Sequence, residues 1–357
     1  MTKKDGLLMM HKGHRFATLS LIGVMALGSY LPATTASASS ISTASSSLQK
    51  KTIAANYKYA KKMLAKNKTA LSGKTSTIFS KSAYPETGAA AGYSDLLLGL
   101  RGHGYHFTKT DLSRIKANLV INGKSTPATL STAIVALKAV GLNPQSFKPA
   151  GAKKSVNLVS TLYKQSMTHQ TVNVQSQALI ALSTSSAYKR PAKAKFSKTS
   201  LASTIAKSQL SNNGWAYNND VKSVDSDTTG VAVIALARSK SSSKAVTSAI
   251  TKGQSYLRQS VAKNGAYGFS YGGKTYLNAN STAQAITAFS TKLNTLKYVN
   301  GAAKSGQSTT ALKSMLSYVR STGSVKGATS QLLGVGQVNL ATAAYQKAQQ
   351  KHSIYTL

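Results

Sequence analysis

The chain contains no cysteine. That excludes disulfides, thiol nucleophiles, thioesters and cysteine-based metal sites, so the fold is held by its core alone. Acidic side chains are almost as scarce: seven among 357 residues, with Glu86 the single glutamate, and Trp215 is the single tryptophan. A hydrolase built on two facing carboxylates therefore has few groups to draw on. Strand signals are nearly absent. The apolar stretch at 16–30 is shorter than the roughly 18–20 residues a membrane span needs.

What is abundant is positive charge. Lysine and arginine total 45, a formal net charge of +38 spread along the chain, which predicts attraction to polyanions. Lysine dominates, giving diffuse charge in place of arginine's bidentate phosphate recognition. No finger spacing, basic heptad helix or arginine cluster marks a nucleic-acid reader, so no specific nucleic acid is expected as partner. Lys3, Lys4, Lys12 and Arg15 precede the apolar stretch, and Ala36-Ser37-Ala38 follows it. This order predicts a signal peptide over 1–38. Its removal takes away four basic and one acidic residue, leaving a formal +35 and no membrane span. The mature chain then opens on a Ser-rich flexible leader, 39–49. The lack of cysteine fits export from a Gram-positive bacterium. Retention by charge on anionic cell-wall polymers or glycans is the expected localisation.

Beyond the leader the chain repeats. "DSDTTGVAVIALA" from Asp225 aligns with "NANSTAQAITAFS" from Asn278, pairing Asp225 with Asn278, Asp227 with Asn280, Thr229 with Thr282 and Ala235 with Ala288 at a constant offset of 53. Weaker copies lie at 171–183, 126–141 and 336–348. Each copy follows a one-sided apolar stripe, such as Val246, Ile250, Gly253, Leu257 and Val261. A one-sided helix faces solvent, whereas one that is apolar all round is enclosed. Pairing them gives six hairpins, 50–101, 109–141, 152–184, 198–239, 244–292 and 308–350. The expected fold is all-α, a single (α/α)6 toroid over 50–350, with 351–357 as a tail.

The residues that carry a resemblance are "QLSNNGW" at 209–215, "QSVAKNGAY" at 259–267 and the following "DSDTTGVAVIAL". They resemble the Gln…Gly…aromatic repeat of the squalene-cyclase and protein-prenyltransferase toroids, specifically so only over 199–292. The resemblance implies the toroid fold. It also implies an acid at Asp227, which matches the middle position of the cyclases' D-x-D-D element, although Thr228 stands where the last aspartate belongs. The prenyltransferase zinc site needs cysteine and cannot form, so no metal or other cofactor is expected. Secreted, non-catalytic single-toroid proteins of the transcobalamin-like type are closest in organisation, but no β domain follows residue 350, which argues against cobalamin.

Two readings of the site follow. Asp, Asn, Ser and Thr ahead of an apolar helix are N-cap residues, with Asp227 or Thr228, Asn280 or Ser281, and Asn339 as the expected caps. Alternatively, inner helices that all run the same way share one rim, gathering Trp215, Tyr217, Asp220, Asp225, Asp227, Tyr267, Phe269, Tyr271, Asn278 and Asn280 (with Tyr276) into a site for a carbohydrate or other small polar ligand. Trp215 fits equally a wedge between helices. Arg101, His103, Tyr105 and His106 in "RGHGYHF" would suit a lyase acting on an acidic polysaccharide, or simply a turn. The leading expectation is a non-catalytic surface protein; the alternatives are a cyclase-like enzyme with Asp227 as general acid and a polysaccharide-acting toroid enzyme.

Overall fold

The computed structural model describes residues 40–66, 91–119, 121, 125–149 and 152–357. The expected signal peptide at 1–38 lies outside the described residues. Residues 40–357 form one compact unit.

Twelve α-helices are present among the described residues, in pairs that follow the expected hairpins. They are α1 (Ser46–Lys66), α2 (Ala91–Gly102), α3 (Lys109–Asn118), α4 (Pro127–Ala139), α5 (Leu158–Tyr163), α6 (Val172–Leu182), α7 (Lys198–Lys207), α8 (Ser226–Ser239), α9 (Lys244–Ser260), α10 (Ala279–Phe289), α11 (Ala311–Ser317) and α12 (Gln331–Gln349). The even-numbered helices pack in order, α2 on α4, α6, α8, α10 and α12, and α12 returns to α2, so six inner helices close a ring. Around them α1 packs on α12 and α2, α5 on α4, α7 on α6 and α8, α9 on α8 and α10, and α11 on α10. Arg114 of α3 donates to the Ala65 carbonyl of α1 (3.1 Å).

Sequence chemistry decides which helix lies inside. Helix α8 buries Ala232 through Leu236 without a break, and α4 buries Thr129 through Leu137. Helix α9 buries only the stripe Val246, Ala249, Ile250, Gly253, Gln254 and Leu257. An all-round apolar helix has no face for water and must be enclosed. Among the described residues, no helix is long and apolar enough to cross a membrane.

The loops between paired helices share a turn. Leu210 N donates to Gly214 O, Ala262 N to Ala266 O, and Arg320 N to Ser324 O. Each turn holds a left-handed residue at the same place: Asn213, Gly265 and Gly323. At the latter two a Cβ would also run into backbone, 2.3 Å from Thr309 O and 2.0 Å from Ala55 O, so only glycine fits there. The next residues repeat a second bond: Trp215 N donates to Thr229 Oγ1 and Tyr267 N to Thr282 Oγ1, both at 3.0 Å.

Three expectations are corrected. First, a β-hairpin exists, β1 (Tyr267–Tyr271) pairing antiparallel with β2 (Lys274–Asn278) through Gly272-Gly273, both at positive φ. Gly-Gly between two short runs is a signal for this turn. Second, the segment expected as a flexible leader is fixed where it is described. Ser42 N donates to Ser308 O, Thr310 N donates to Ser42 O, Ala44 is buried, and α1 already begins at Ser46. Third, the tail is packed: Ile354 and Tyr355 are buried beneath the C-terminal ends of the inner helices, with Ile354 beside Gly102.

Candidate functional site

Five of the six inner helices, α4, α6, α8, α10 and α12, share one cap arrangement, and in α8 it decides where the acidic residues point. Asp225 Oδ1 accepts from Thr228 N and Asn278 Oδ1 from Ser281 N, each at 2.8 Å. Thr126, Thr171 and Ser330 cap α4, α6 and α12 in the same way. The caps thus fall two residues ahead of the expected Asp227 and Asn280. Asn339, also expected as a cap, lies in the middle of α12, fully buried. With the cap supplied at Asp225 and Asn278, the side chains two residues on are released from that duty. One helical turn further, on the same face, come Val231 and Gln284.

Those positions line a central cavity of about 220 Å³ inside the ring, room for roughly seven waters at bulk density. All six inner helices contribute: Ser94 and Asp95 from α2, Ser131, Thr132 and Val135 from α4, Asn173, Gln177 and Ile180 from α6, Asp227 and Val231 from α8, Asn280 and Gln284 from α10, and Leu333, Gln337 and Leu340 from α12. Tyr355 of the tail joins them. Among the described residues, the lining contains two carboxylic acids, five amides and several hydroxyls, but no lysine, arginine or histidine. In a chain of net charge +38, the positive charge of the described residues is kept off this wall.

The two acids are held in polar networks. Asn278 Nδ2 donates to Ser281 Oγ, and Ser281 Oγ donates to Asp227 Oδ2, both at 2.9 Å, so the cap of α10 aims a hydroxyl at the acid of α8. Asn280 Nδ2 donates to Gln337 Oε1 (2.8 Å), which leaves the Gln337 amide nitrogen to bond to Asp95. Both acids keep some accessible surface, facing the cavity, while lying deep in the ring. Burial pushes both carboxyls up to about 7, against the pull of Gln337 on Asp95 and of Ser281 on Asp227, and the nearby Asp225 adds to the rise at Asp227. Each is therefore poised between acid and carboxylate near neutrality. Asn173 Oδ1 is enclosed and has no hydrogen-bond partner.

Of the residues expected at the site, the cavity gathers only Asp227 and Asn280. Asp225 and Asn278 are their supports, and burial raises the Asp225 carboxyl. Trp215 is a wedge. It is fully buried, donates through Nε1 to Ile205 O (2.7 Å), and presses on Gly253, where a Cβ would lie 2.7 Å from its ring. Tyr267 is likewise fully buried beside Phe289. Asp220 is exposed and caps the 3₁₀ turn Val221–Ser223. Tyr217, Phe269 and Tyr271 are exposed, with Phe269 stacked on Tyr276 (5.2 Å between centroids). None of these aromatics lines the cavity.

Three of the four lyase candidates bond to the scaffold, and His106 is exposed. Arg101 donates to the Ala139 carbonyl at the end of α4 (3.1 Å). His103 Nε2 lies 3.2 Å from Asn339 O and 3.1 Å from Thr342 Oγ1, its pKa lowered by burial. Tyr105 OH donates to Asp111 (2.9 Å). Among the described residues, no group of three His, Asp or Glu could hold a metal ion.

Sequence reasoning missed Asp95, Asn173, Gln177, Gln284, Gln337 and Tyr355. A signal was available: Asn173/Gln177 and Asn280/Gln284 repeat an amide pair four apart inside helices otherwise buried all round.

No family model matches the sequence, and no curated protein matches it. Among solved structures the chain is similar to the type II terpene cyclase MstE from Scytonema. The apo form gives a TM-score of 0.48, 11% identity and coverage of 85% of this chain and 99% of that chain. An Asp-to-Asn variant of that enzyme in complex with its substrate geranylgeranyl dihydroxybenzoate gives 0.49, 11%, 85% and 99%. The Asp-to-Ala variant in complex with its product merosterolic acid A gives 0.47, 11%, 84% and 99%. The ring rests on the helix packing described above, and at this identity no residue role is carried across.

Proposed function

We propose that the protein is a non-catalytic binding protein with two separate surfaces. The central cavity takes a small polar ligand of monosaccharide size. The positive exterior holds the molecule on anionic polymers of a cell wall, outside the cell. The observation that carries the first half is the lining of the cavity: amides, hydroxyls and two acids that can donate or accept, beside the apolar side chains of Val135, Ile180, Val231, Leu333 and Leu340. Convergent polar groups among apolar ones suit a small hydroxylated molecule. Titration calorimetry of the mature chain against monosaccharides, with Asn280→Asp and Gln284→Leu as cavity variants, tests it. Saturable binding that both variants weaken is expected; binding that both leave intact places the site elsewhere. For the exterior, the formal charge of +38 is the support. Washing intact cells with concentrated salt is expected to release the protein, and retention through such a wash refutes attachment by charge.

A second reading is favoured by one observation: Asp227, at the position matching the acid of the cyclases, opens on the cavity and holds its proton up to about 7. A general acid needs such a raised pKa. Against it stands the rest of the wall. Tyr355 is the single aromatic among the described lining residues, whereas carbocations are stabilised by aromatic faces, and the amides and hydroxyls offer lone pairs that would capture them. Cyclisation of a linear polyprenyl substrate by the wild-type chain, lost in Asp227→Asn, is the result that would establish the enzyme.

A further inference from the structure

The cavity's own chemistry narrows the ligand, provided the cavity is the ligand site proposed above. We infer that the central cavity selects a small organic ammonium ion, an amino sugar or alkylamine, over a neutral molecule of the same size, with Asp95 and Asp227 as its counter-charges.

Three observations point this way. The first is charge segregation. Two of the chain's seven acidic residues face one cavity of about 220 Å³, while none of the described lysines and arginines does. An anion entering would meet two carboxyls and no base. One first-turn N–H in each of α4, α6, α8, α10 and α12 is already bonded, to Thr126, Thr171, Asp225, Asn278 and Ser330, which weakens those helix starts as anion sites. The second is the supply of side-chain oxygens: beside the two acids, the amides of Asn173, Gln177 and Gln284 belong to the same wall. An ammonium group, with three donors and no acceptor, complements carboxylate and amide oxygens. The third is the state of the acids. Burial holds both carboxyls near neutrality, which is the cost of two enclosed charges without a counter-ion. A bound cation removes that cost and draws both to the ionised form.

The groups that face the pair are few. Asp225 and Ser281 adjoin Asp227; Gln337 and Tyr355 adjoin Asp95, with Arg238 holding the Tyr355 carbonyl from behind (3.3 Å). Cation binding therefore weakens on acidification below about 7, as the carboxyls take up protons.

The test is calorimetry of the mature chain with cyclohexylammonium, cyclohexanol and glucose, at neutral and acid pH. Cyclohexylammonium is expected to bind at least about tenfold tighter than cyclohexanol, and Asp95→Asn or Asp227→Asn to weaken it by roughly thirtyfold and so abolish that preference. Both variants are nearly isosteric, and a thermal melt of each verifies that the fold is kept. Cyclohexanol or glucose binding as tightly as the ammonium overturns this inference and leaves the cavity as a ligand site. No binding by any of the three overturns the cavity as a ligand site, and the inference with it. If only one Asn variant weakens the ammonium, the pairing of the two acids is wrong.

Discussion

The loop and helix start at 212–230 and its copy at 264–282 share the bonds that begin the loop and cap the helix, and they differ where they face the cavity. In both, a left-handed residue closes a turn, an aromatic N–H donates to a threonine hydroxyl, and an Asp or Asn two residues ahead of the inward side chain caps the helix. Past the cap, one copy presents Asp227 and the other Asn280. The shared bonds are those that hold a helix start in place, and an aspartate or an asparagine serves there alike because either supplies an acceptor oxygen. The inward position has no such duty, so its chemistry is free to differ, and it is there that function is to be sought.

The comparison can be broken first at the wedges. Trp215→Ala is expected to destabilise by about 3–5 kcal/mol, and Tyr267→Ala by a similar amount, as measured by urea unfolding. Loss of ligand binding by Trp215→Ala without loss of stability would return the tryptophan to the site.

The inward positions sharpen it next. Asp227 titrates in the folded chain at about 7 against 3.8 unfolded. Between those values the unfolded state has released a proton that the folded state keeps. Stability is therefore greatest at the acid end of that window and falls as pH rises through it, by up to about 1.4 kcal/mol per unit for each such group. Asp227→Asn is expected to remove part of this slope and to stabilise the unliganded chain at pH above 7 by roughly 1–3 kcal/mol. Asn280→Asp is expected to do the reverse, adding an enclosed acid and deleting the donor to Gln337. Melting temperatures across pH decide it: parallel curves for the wild type and both variants would refute the assignment.

The smallest effect belongs to the caps. Asp225→Ala and Asn278→Ala are each expected to cost about 1 kcal/mol. The second is also expected to move the Asp227 titration, because Asn278 orients the Ser281 hydroxyl. A cap variant at Asn278 that leaves that titration in place would sever the link between the copies.

Much of this architecture was legible before any coordinates. The 53-residue offset and the contrast between one-sided and all-round apolar helices placed all six hairpins. The caps were misplaced by two residues because runs such as Asp225-Ser226-Asp227-Thr228 offer several suitable oxygens, and only the path of the incoming loop selects one. The hairpin at 267–278 was missed because its strands are five residues each and its partner is local. Half of the site was hidden for a different reason. Asp95 sits in the poorest copy of the repeat, and Tyr355 in a segment with few apolar residues, so neither announces a role until the ring brings them to the cavity.

The seam of the ring has a consequence for how the molecule forms. Helices α2 and α12 meet so closely at Gly99 that a Cβ there would touch Asn339. Asn56 bonds across 267 residues to Gly323 and across 283 to Asn339, and Ala44 is bound by Asn300 across 256. Every one of these contacts joins the two ends of the domain, and long-range closure is the slow part of folding. The repeats between α6 and α10 can assemble from neighbours alone, so they are expected to gain protection first in pulsed hydrogen exchange. The seam, with the cavity it completes, forms last, and until it does the ring stands open along its length.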